Sequence, residues 1–300
     1  MQNLRIGFIG AGRLGQALAW SLASSGLAVC AVASRRADGA QALADRIAGC
    51  RVLPAQAVAD ACDLVFVTTP DAAIAATLAA CRWREGMAVV HCSGVTEVAA
   101  LDAARRDGAL TGGFHPMQTF GDPEAAARSL PGCTITIEAP QPLDATLVAL
   151  AGRLQCRVNR LPPGMRARDH AAAGYTSQVI HVLFDEAAAL WRTWGATEAQ
   201  AVDALLPLAR GTLEAIASAG IARAMPGPVS RGDVESIAKH TEALAAIDAG
   251  ARLDLYRTLC AATVRIASHG GAIDGATALR FDKLLAQVAI PSRQDPSDPR

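Results

Sequence analysis

Residues 4–20 read LRIGFIGAGRLGQALAW. An apolar run of strand length ends at Ile9, three glycines follow at positions 10, 12 and 15, and the run beyond them has helical periodicity. A GxGxxG spacing between a strand and a helix is a dinucleotide-binding signal. Gly10 permits the tight turn, Gly12 lets the backbone approach a pyrophosphate, and Gly15 lets helix and strand pack closely. The phosphates would rest on unpaired amides at the helix N-terminus, so Gly10, Ala11, Gly12, Arg13, Leu14 and Gly15 are the candidate cradle. The alternative is a tight glycine turn that binds nothing.

Working outward, strand and helix signals alternate. Strands are expected over 4–9, 28–33, 51–53, 62–69, 87–92, 109–114, 133–139 and 156–161, and helices over 13–25, 38–48, 71–81, 96–107 and 143–154. This alternation implies a mainly parallel sheet covered on both faces. The pattern changes at LPPGMRARDH (161–170). Helices are then expected over 169–193, 197–219, 233–248, 251–269 and 275–288, broken by Gly and Pro. The fold class is an α/β N-terminal domain over 1–162 followed by an all-α domain over 163–290. The polar, proline-rich segment 291–300 is expected to be a disordered tail.

The end of the second strand bears on the nucleotide. An acidic residue there, about 20 residues past the glycines, would bind a ribose 2′-hydroxyl. The stretch is ASRRAD (33–38), so Ser34, Arg35 and Arg36 stand where the acid would be. Two guanidiniums and a hydroxyl suit a 2′-phosphate, and NADP is expected ahead of NAD.

Ligands of open α/β sheets bind outside the carboxyl ends of the strands. Three such ends are polar here. VTTPDAAI (67–74) offers Thr68, Thr69 and Pro70 toward the cofactor, VHCSGV (90–95) offers His91, Ser93 and Gly94, and GGFHPMQTF (112–120) offers His115, Met117 and Gln118. Pro116 holds His115 extended at its strand end. An imidazole with a pKa near ~6.5 can take or give the proton that accompanies hydride transfer. His115 is the candidate acid/base, Ser93 the hydroxyl that would orient the reacting oxygen, and Gly94 and Gln118 are candidate substrate contacts. A structural histidine bonded to a loop carbonyl is the competing reading of His115.

In the helical half, ARDHAAAGYTSQVIH (167–181) spaces His170, Gly174, Ser177 and His181 along one helix face, and His170 and Ser177 are candidate cleft residues. MPGPVSRGDVESIAKH (225–240) is a turned loop leading into a helix that Asp233 can cap. There Arg231 could grip an anion, and His240 lies two turns further on.

The chain has 300 residues, enough for two domains, with 28 basic and 28 acidic side chains. That balance gives no reason to expect nucleic acid or an anionic membrane as partner. No apolar run is long and charge-free enough to span a bilayer, and no leader is expected before the first strand. The eight cysteines include no CxxC pair, which points to reduced core thiols in a cytoplasmic protein and to no metal site.

Taken in order, GFIGAGRLGQAL, VTTPD, HCSG, GGFHPMQTF and GPVSRGDVESIAKHTEAL resemble a Rossmann-like oxidoreductase family whose C-terminal half bears a domain-of-unknown-function designation. That family is similar in plan to pyrroline-5-carboxylate reductase, ketopantoate reductase, 6-phosphogluconate dehydrogenase and deazaflavin-dependent NADP reductases. The resemblance implies a nucleotide domain joined to a helical domain, and a homodimer formed through the latter. GGFHPM is also similar to the HPM motif of prephenate and arogenate dehydrogenases, which implies a catalytic role for His115 and a substrate contact for Ser93. Here QTF follows HPM where those enzymes carry a glycine, and Gln178 stands where an asparagine is expected. No lysine occupies 167–181, so lysine-based hydroxyacid chemistry is not implied. The expected function is hydride transfer between NADP and a small anionic carbonyl, imine or alcohol, with a non-catalytic NADP(H)-binding sensor as the alternative.

Overall fold

The computed structural model describes residues 4–247 and 250–286, and the expected tail at 291–300 lies outside them. The chain divides into two compact units, up to Val179 and from Ile180 onward. The change in sequence pattern falls earlier, at 162/163.

The first unit is built on strands β1 (Arg5–Ile9), β2 (Ala28–Ala33), β3 (Arg51–Val52), β4 (Leu64–Val67), β5 (Ala88–His91), β6 (Leu110–Pro116), β7 (Thr134–Glu138) and β8 (Arg157–Arg160). Helices α1 (Arg13–Ser24), α2 (Ala37–Ala44), α3 (Ala55–Ala61), α4 (Ile74–Ala79), α5 (Asp102–Arg106), α6 (Pro123–Ser129), α7 (Leu143–Arg153) and α8 (Arg166–Thr176) complete it. The strands form one sheet in the order β3-β2-β1-β4-β5-β6-β7-β8. Pairing is parallel throughout except between β6 and β7, so the last two strands run against the rest. The order reverses at β1, which leaves a crevice outside the ends of β1 and β4.

Continuous apolar runs form the middle strands because both faces are covered. In β4, Leu64 and Phe66 face one core with Phe8, Leu18, Leu22 and Phe114, whereas Val65 and Val67 face another with Val58, Ile74, Leu78 and Val89. Phe8 stacks on Phe66 at 5.2 Å between ring centroids, and Phe114 meets Phe66 edge-on at 5.5 Å.

The sequence reading finds all eight strands. It misses α3, a seven-residue helix begun at Pro54, and α6, capped by Asp122 through Ala125 N–H at 2.8 Å. Both are too short to show a helical period. The helix expected over 169–193 is two helices, α8 and α9 (Gln178–Arg192), separated at Ser177 (φ −123°, ψ −83°). The Ser177 hydroxyl donates to the Ala173 carbonyl at 2.8 Å, and the Thr176 hydroxyl donates to the same carbonyl at 3.1 Å. Ser and Thr offer the backbone such alternatives to the helical ladder. The break ends the shared face expected of His170, Gly174, Ser177 and His181.

The second unit contains most of α9, then α10 (Glu198–Ala219), α11 (Ile221–Ala224), α12 (Val234–Ile247), α13 (Ala251–His269) and α14 (Gly275–Ala286). Thr197 and Gln200 form a reciprocal cap at the start of α10. The core gathers Val229, Ile237, Cys260, Val264 and Phe281. Among the described residues no helix is long and apolar enough to cross a membrane.

Candidate functional site

The crevice at the reversal point is a cleft of about 1270 Å³, larger than the roughly 300–1,000 Å³ of ordinary small-ligand pockets. It is lined by the glycine loop, by Ser34, Arg35 and Arg36 at the end of β2, by Thr68, Thr69 and Pro70 at the end of β4, and by Cys92 and Ser93 after β5.

The three glycines of the loop do different work. Gly10 has φ +115°, and a Cβ there would lie 2.6 Å from the Thr68 backbone. A Cβ on Gly15 would lie 2.6 Å from the Gly10 carbonyl and 2.7 Å from Thr68 Oγ1. Both are demanded by the chain's own packing. Thr68 locks the same contact, its hydroxyl donating to the Gly10 carbonyl at 2.7 Å. Gly12 is different. It has an extended backbone (φ −75°, ψ −176°) that any residue adopts, and among the described residues no atom lies within 4 Å of the position its Cβ would take. The fold itself does not need a glycine there. The buried Thr69 hydroxyl, which has no hydrogen-bond partner among the described residues, also lines this cleft. Of the rest of the cradle, Ala11 is buried with its carbonyl held by Gln16 Nε2 at 3.0 Å, Arg13 reaches the Gly121 carbonyl at 3.4 Å, and Leu14 lines the cleft.

At the end of β2 the two arginines diverge. Arg36 pairs with Asp38 at 2.8 Å, and its amide donates to Ser34 Oγ at 3.2 Å. Arg35 is exposed and has no hydrogen bond or ion pair among the described residues. Of the two guanidiniums, Arg35 is the one free to take a phosphate.

The ends of β5 and β6 form a second group. His115 Nδ1 lies 3.1 Å from the Cys92 carbonyl. A carbonyl only accepts, so Nδ1 carries the proton and neutral His115 keeps its lone pair on Nε2. Nε2 stands against Gly94, 2.8 Å from where a Cβ would lie, and the His170 ring presses on the same point. The two imidazoles are 6.0 Å apart between centroids. Burial lowers the His115 pKa, the Cys92 bond opposes this, His170 and Arg166 lower it further, and Asp169 raises it. The carbonyl-bonded imidazole weighed for His115 is thus present, and it leaves the second nitrogen available.

Ser93 is buried and lines the cleft. Its hydroxyl donates to Thr96 Oγ1 at 2.9 Å and accepts from the amides of Thr96 at 3.0 Å and Val95 at 3.3 Å, so it caps its own turn. Gln118 is engaged by its own loop, donating to the Ser129 carbonyl at 3.0 Å and accepting from the Thr119 amide at 2.8 Å. Ser177 is the helix break described above. Arg231 and His240 belong to the second unit: Arg231 is exposed at the end of a 3-10 turn, and His240 Nδ1 is hydrogen-bonded to the Tyr256 hydroxyl at 2.7 Å.

Three further groups surround this cluster, among them His91, which the sequence reading already places at the end of its strand. Arg166 is buried and paired with Glu138 at 2.6 Å. Asp169 sits beside His115. His91 is fully buried, and neither ring nitrogen has a hydrogen bond among the described residues. Burial, with smaller contributions from Arg166 and His115, pulls the His91 pKa down to about 3. The unfolded chain therefore binds a proton near pH 6.5 that the folded chain refuses, and stability is complete above that pH and falls below it. In His91→Leu the loss of stability between pH 7 and pH 4 should shrink by roughly 3 kcal/mol, read from urea unfolding at both pH values. An unchanged pH dependence would contradict the neutral, buried state of His91.

The comparisons with known proteins bear on the domains and the fold. A Rossmann-like domain model matches residues 1–116, and the model described as domain of unknown function DUF2520 matches residues 133–263. The chain therefore carries a Rossmann-like domain followed by a DUF2520 domain. No curated protein matches it. Among solved structures it is similar to a "putative NADP oxidoreductase" from Bacteroides fragilis, with 27% identity, 87% of this chain and 98% of that one covered, and a TM-score of 0.69. A protein from Thermotoga maritima has 20% identity over 88% of this chain and 98% of that one, with a TM-score of 0.73. The reductive aminase of Aspergillus terreus, solved with NADPH and ethyl-5-oxohexanoate, has 18% identity over 94% and 92%, with a TM-score of 0.62. The last two speak to the fold alone. The first supports a generic NADP oxidoreductase.

Proposed function

We propose that this chain, a Rossmann-like domain followed by a DUF2520 domain, is an NADP(H)-dependent oxidoreductase acting on a small carbonyl or imine and the corresponding alcohol or amine. The observation that carries the reading is Gly12: the fold leaves open the space over a glycine it does not itself require, at the mouth of a cleft sized for a dinucleotide. When bound, the nicotinamide supplies or accepts the hydride. The chain's own residues do the rest. The loop amides and Thr69 hold the phosphates and their neighbours, and Ser34 and Arg35 receive the 2′-phosphate. His115 Nε2 takes the proton of an alcohol or amine, or returns it in the reverse direction. Ser93, which lines the cleft, fixes the turn against which the His115 ring rests. The anionic character expected of the substrate comes only from reading the exposed Arg231 as an anion grip. The homodimer stands on the resemblance, together with Leu208, Leu213 and Ile216 exposed on α10.

The test is a titration with NADPH and NADH side by side, followed by nicotinamide fluorescence. NADPH should bind the more tightly, and Arg35→Glu should weaken NADPH by about a hundredfold while leaving NADH within a few-fold, since a charge-assisted pair to the 2′-phosphate becomes a repulsion. If neither nucleotide binds, the reading fails. If both bind but no carbonyl, imine, alcohol or amine of a broad panel turns over, the sensor reading replaces it.

A further inference from the structure

Arg166 is the largest fully buried side chain among the described residues. It is the first residue of α8, and it reaches the end of β7, the turn after β5 and the middle of β6. Its Nε donates to Glu138 Oε2 on β7 at 2.6 Å, and its Nη1 donates to the Ser93 carbonyl after β5 at 3.0 Å. Its Nη2 lies over Gly113 on β6, where a Cβ would coincide with it, and has no hydrogen-bond partner among the described residues. A buried ion pair is a poor way to gain stability, because apolar side chains of similar volume do as well or better. What they cannot do is hold a carbonyl. The carbonyl held here belongs to the Ser93–Gly94 peptide, the surface on which the His115 and His170 rings rest. Asp169 and His170 follow Arg166 on the same helix, so the anchor that fixes the peptide also fixes the second imidazole.

We propose that Arg166 is a positioning residue: its guanidinium, steadied by Glu138, sets the Ser93–Gly94 peptide and the first turn of α8 against the His115 ring. The functional meaning rests on the reading of His115 and Ser93 given above. The groups facing His115 are the Cys92 carbonyl and His91 from β5, and Arg166, Asp169 and His170 from α8. Arg166 therefore acts on the ring in two ways, by placing the peptide and by its charge.

The two are separable without cofactor or substrate. Arg166→Lys keeps the charge and loses the fork. The pair Arg166→Gln with Glu138→Gln removes the charge without stranding a buried carboxylate. Amide exchange at Val95 and Thr96, whose N–H groups are held by Ser93 Oγ, reads the turn, and the His115 ring resonance reads the titration. Exchange at both amides should accelerate about tenfold or more in both variants, with β1 and β4 amides unchanged. The His115 midpoint should move upward in the double variant and hold in Arg166→Lys. Unchanged exchange at Val95 and Thr96 would overturn the proposal. So would acceleration spread evenly over the whole sheet, which would make the pair merely structural. Failure of the parent chain to bind NADPH would sink the cofactor reading and leave this result intact, so the two failures are distinguishable.

Discussion

Gly12→Ala is expected to fold as stably as the parent chain and to bind NADPH ten- to a hundredfold more weakly. The first half follows from the backbone: φ and ψ at Gly12 suit alanine, and no atom of the described residues contests the new methyl group. Removing a glycine where alanine fits also restricts the unfolded chain, which favours folding by a few tenths of a kcal/mol. The second half follows from the ligand. A methyl group between the loop amides and a pyrophosphate lengthens their hydrogen bonds and overpacks the contact, a cost of about 1–3 kcal/mol, and each ~1.4 kcal/mol is tenfold in affinity. Gly10→Ala and Gly15→Ala should do the opposite first. One forces an alanine to a positive φ, the other drives a methyl group into the Gly10 carbonyl, and each should lose about 2–4 kcal/mol of stability. Thermal melts and fluorescence titration of the three variants separate the effects. Parent-like NADPH affinity in Gly12→Ala would remove the main support for the cleft's assignment.

His115→Ala is expected to lower turnover by about 10²–10⁴-fold with cofactor affinity unchanged, the range typical of losing a positioned general acid or base. The measurement is nicotinamide absorbance with a panel substrate, at saturating cofactor. The pH profile carries a sign. Burial holds the His115 pKa below the ordinary histidine value. A base is active when unprotonated, so oxidation of an alcohol or amine should rise through that lowered pKa and be level at neutral pH. Reduction, which needs the imidazolium, should climb as the pH falls toward it. Turnover in His115→Ala within a few-fold of the parent, or an oxidation rate that still rises through pH 7, would remove His115 from the proton path.

Much of this was readable from single stretches. Strand β4 is an apolar run bounded by polar ends, α1 begins between the second and third glycines of the motif, and hydroxyls and imidazoles stand at the strand ends, the place where ligands of parallel sheets bind. Local readings did not show which side chains their surroundings would take up. Gln118 and Ser93 carry side chains suited to a substrate, yet their neighbours take up those groups. Arg166 opens α8 directly after a Pro- and Gly-rich stretch, where an arginine reads as solvated surface. The available sign was Glu138, a carboxylate closing an apolar strand, because a charge in that place needs a partner.

The sequence by itself determined the alternation of strands and helices, the glycine loop, the two arginines beyond β2 and the turn to all-helical structure after Arg160. These depend on periodicity, turn chemistry and composition within a few residues of each other. Only the tertiary structure decided that β7 runs against β6, that Arg36 is taken by Asp38 while Arg35 is free, that Gly12 alone of the loop glycines is not needed by the fold, and that Arg166 joins β7, the turn after β5 and β6. Each of those depends on which groups meet across tens of residues, and pairing of that kind is set by the packing of the whole sheet rather than by any one segment.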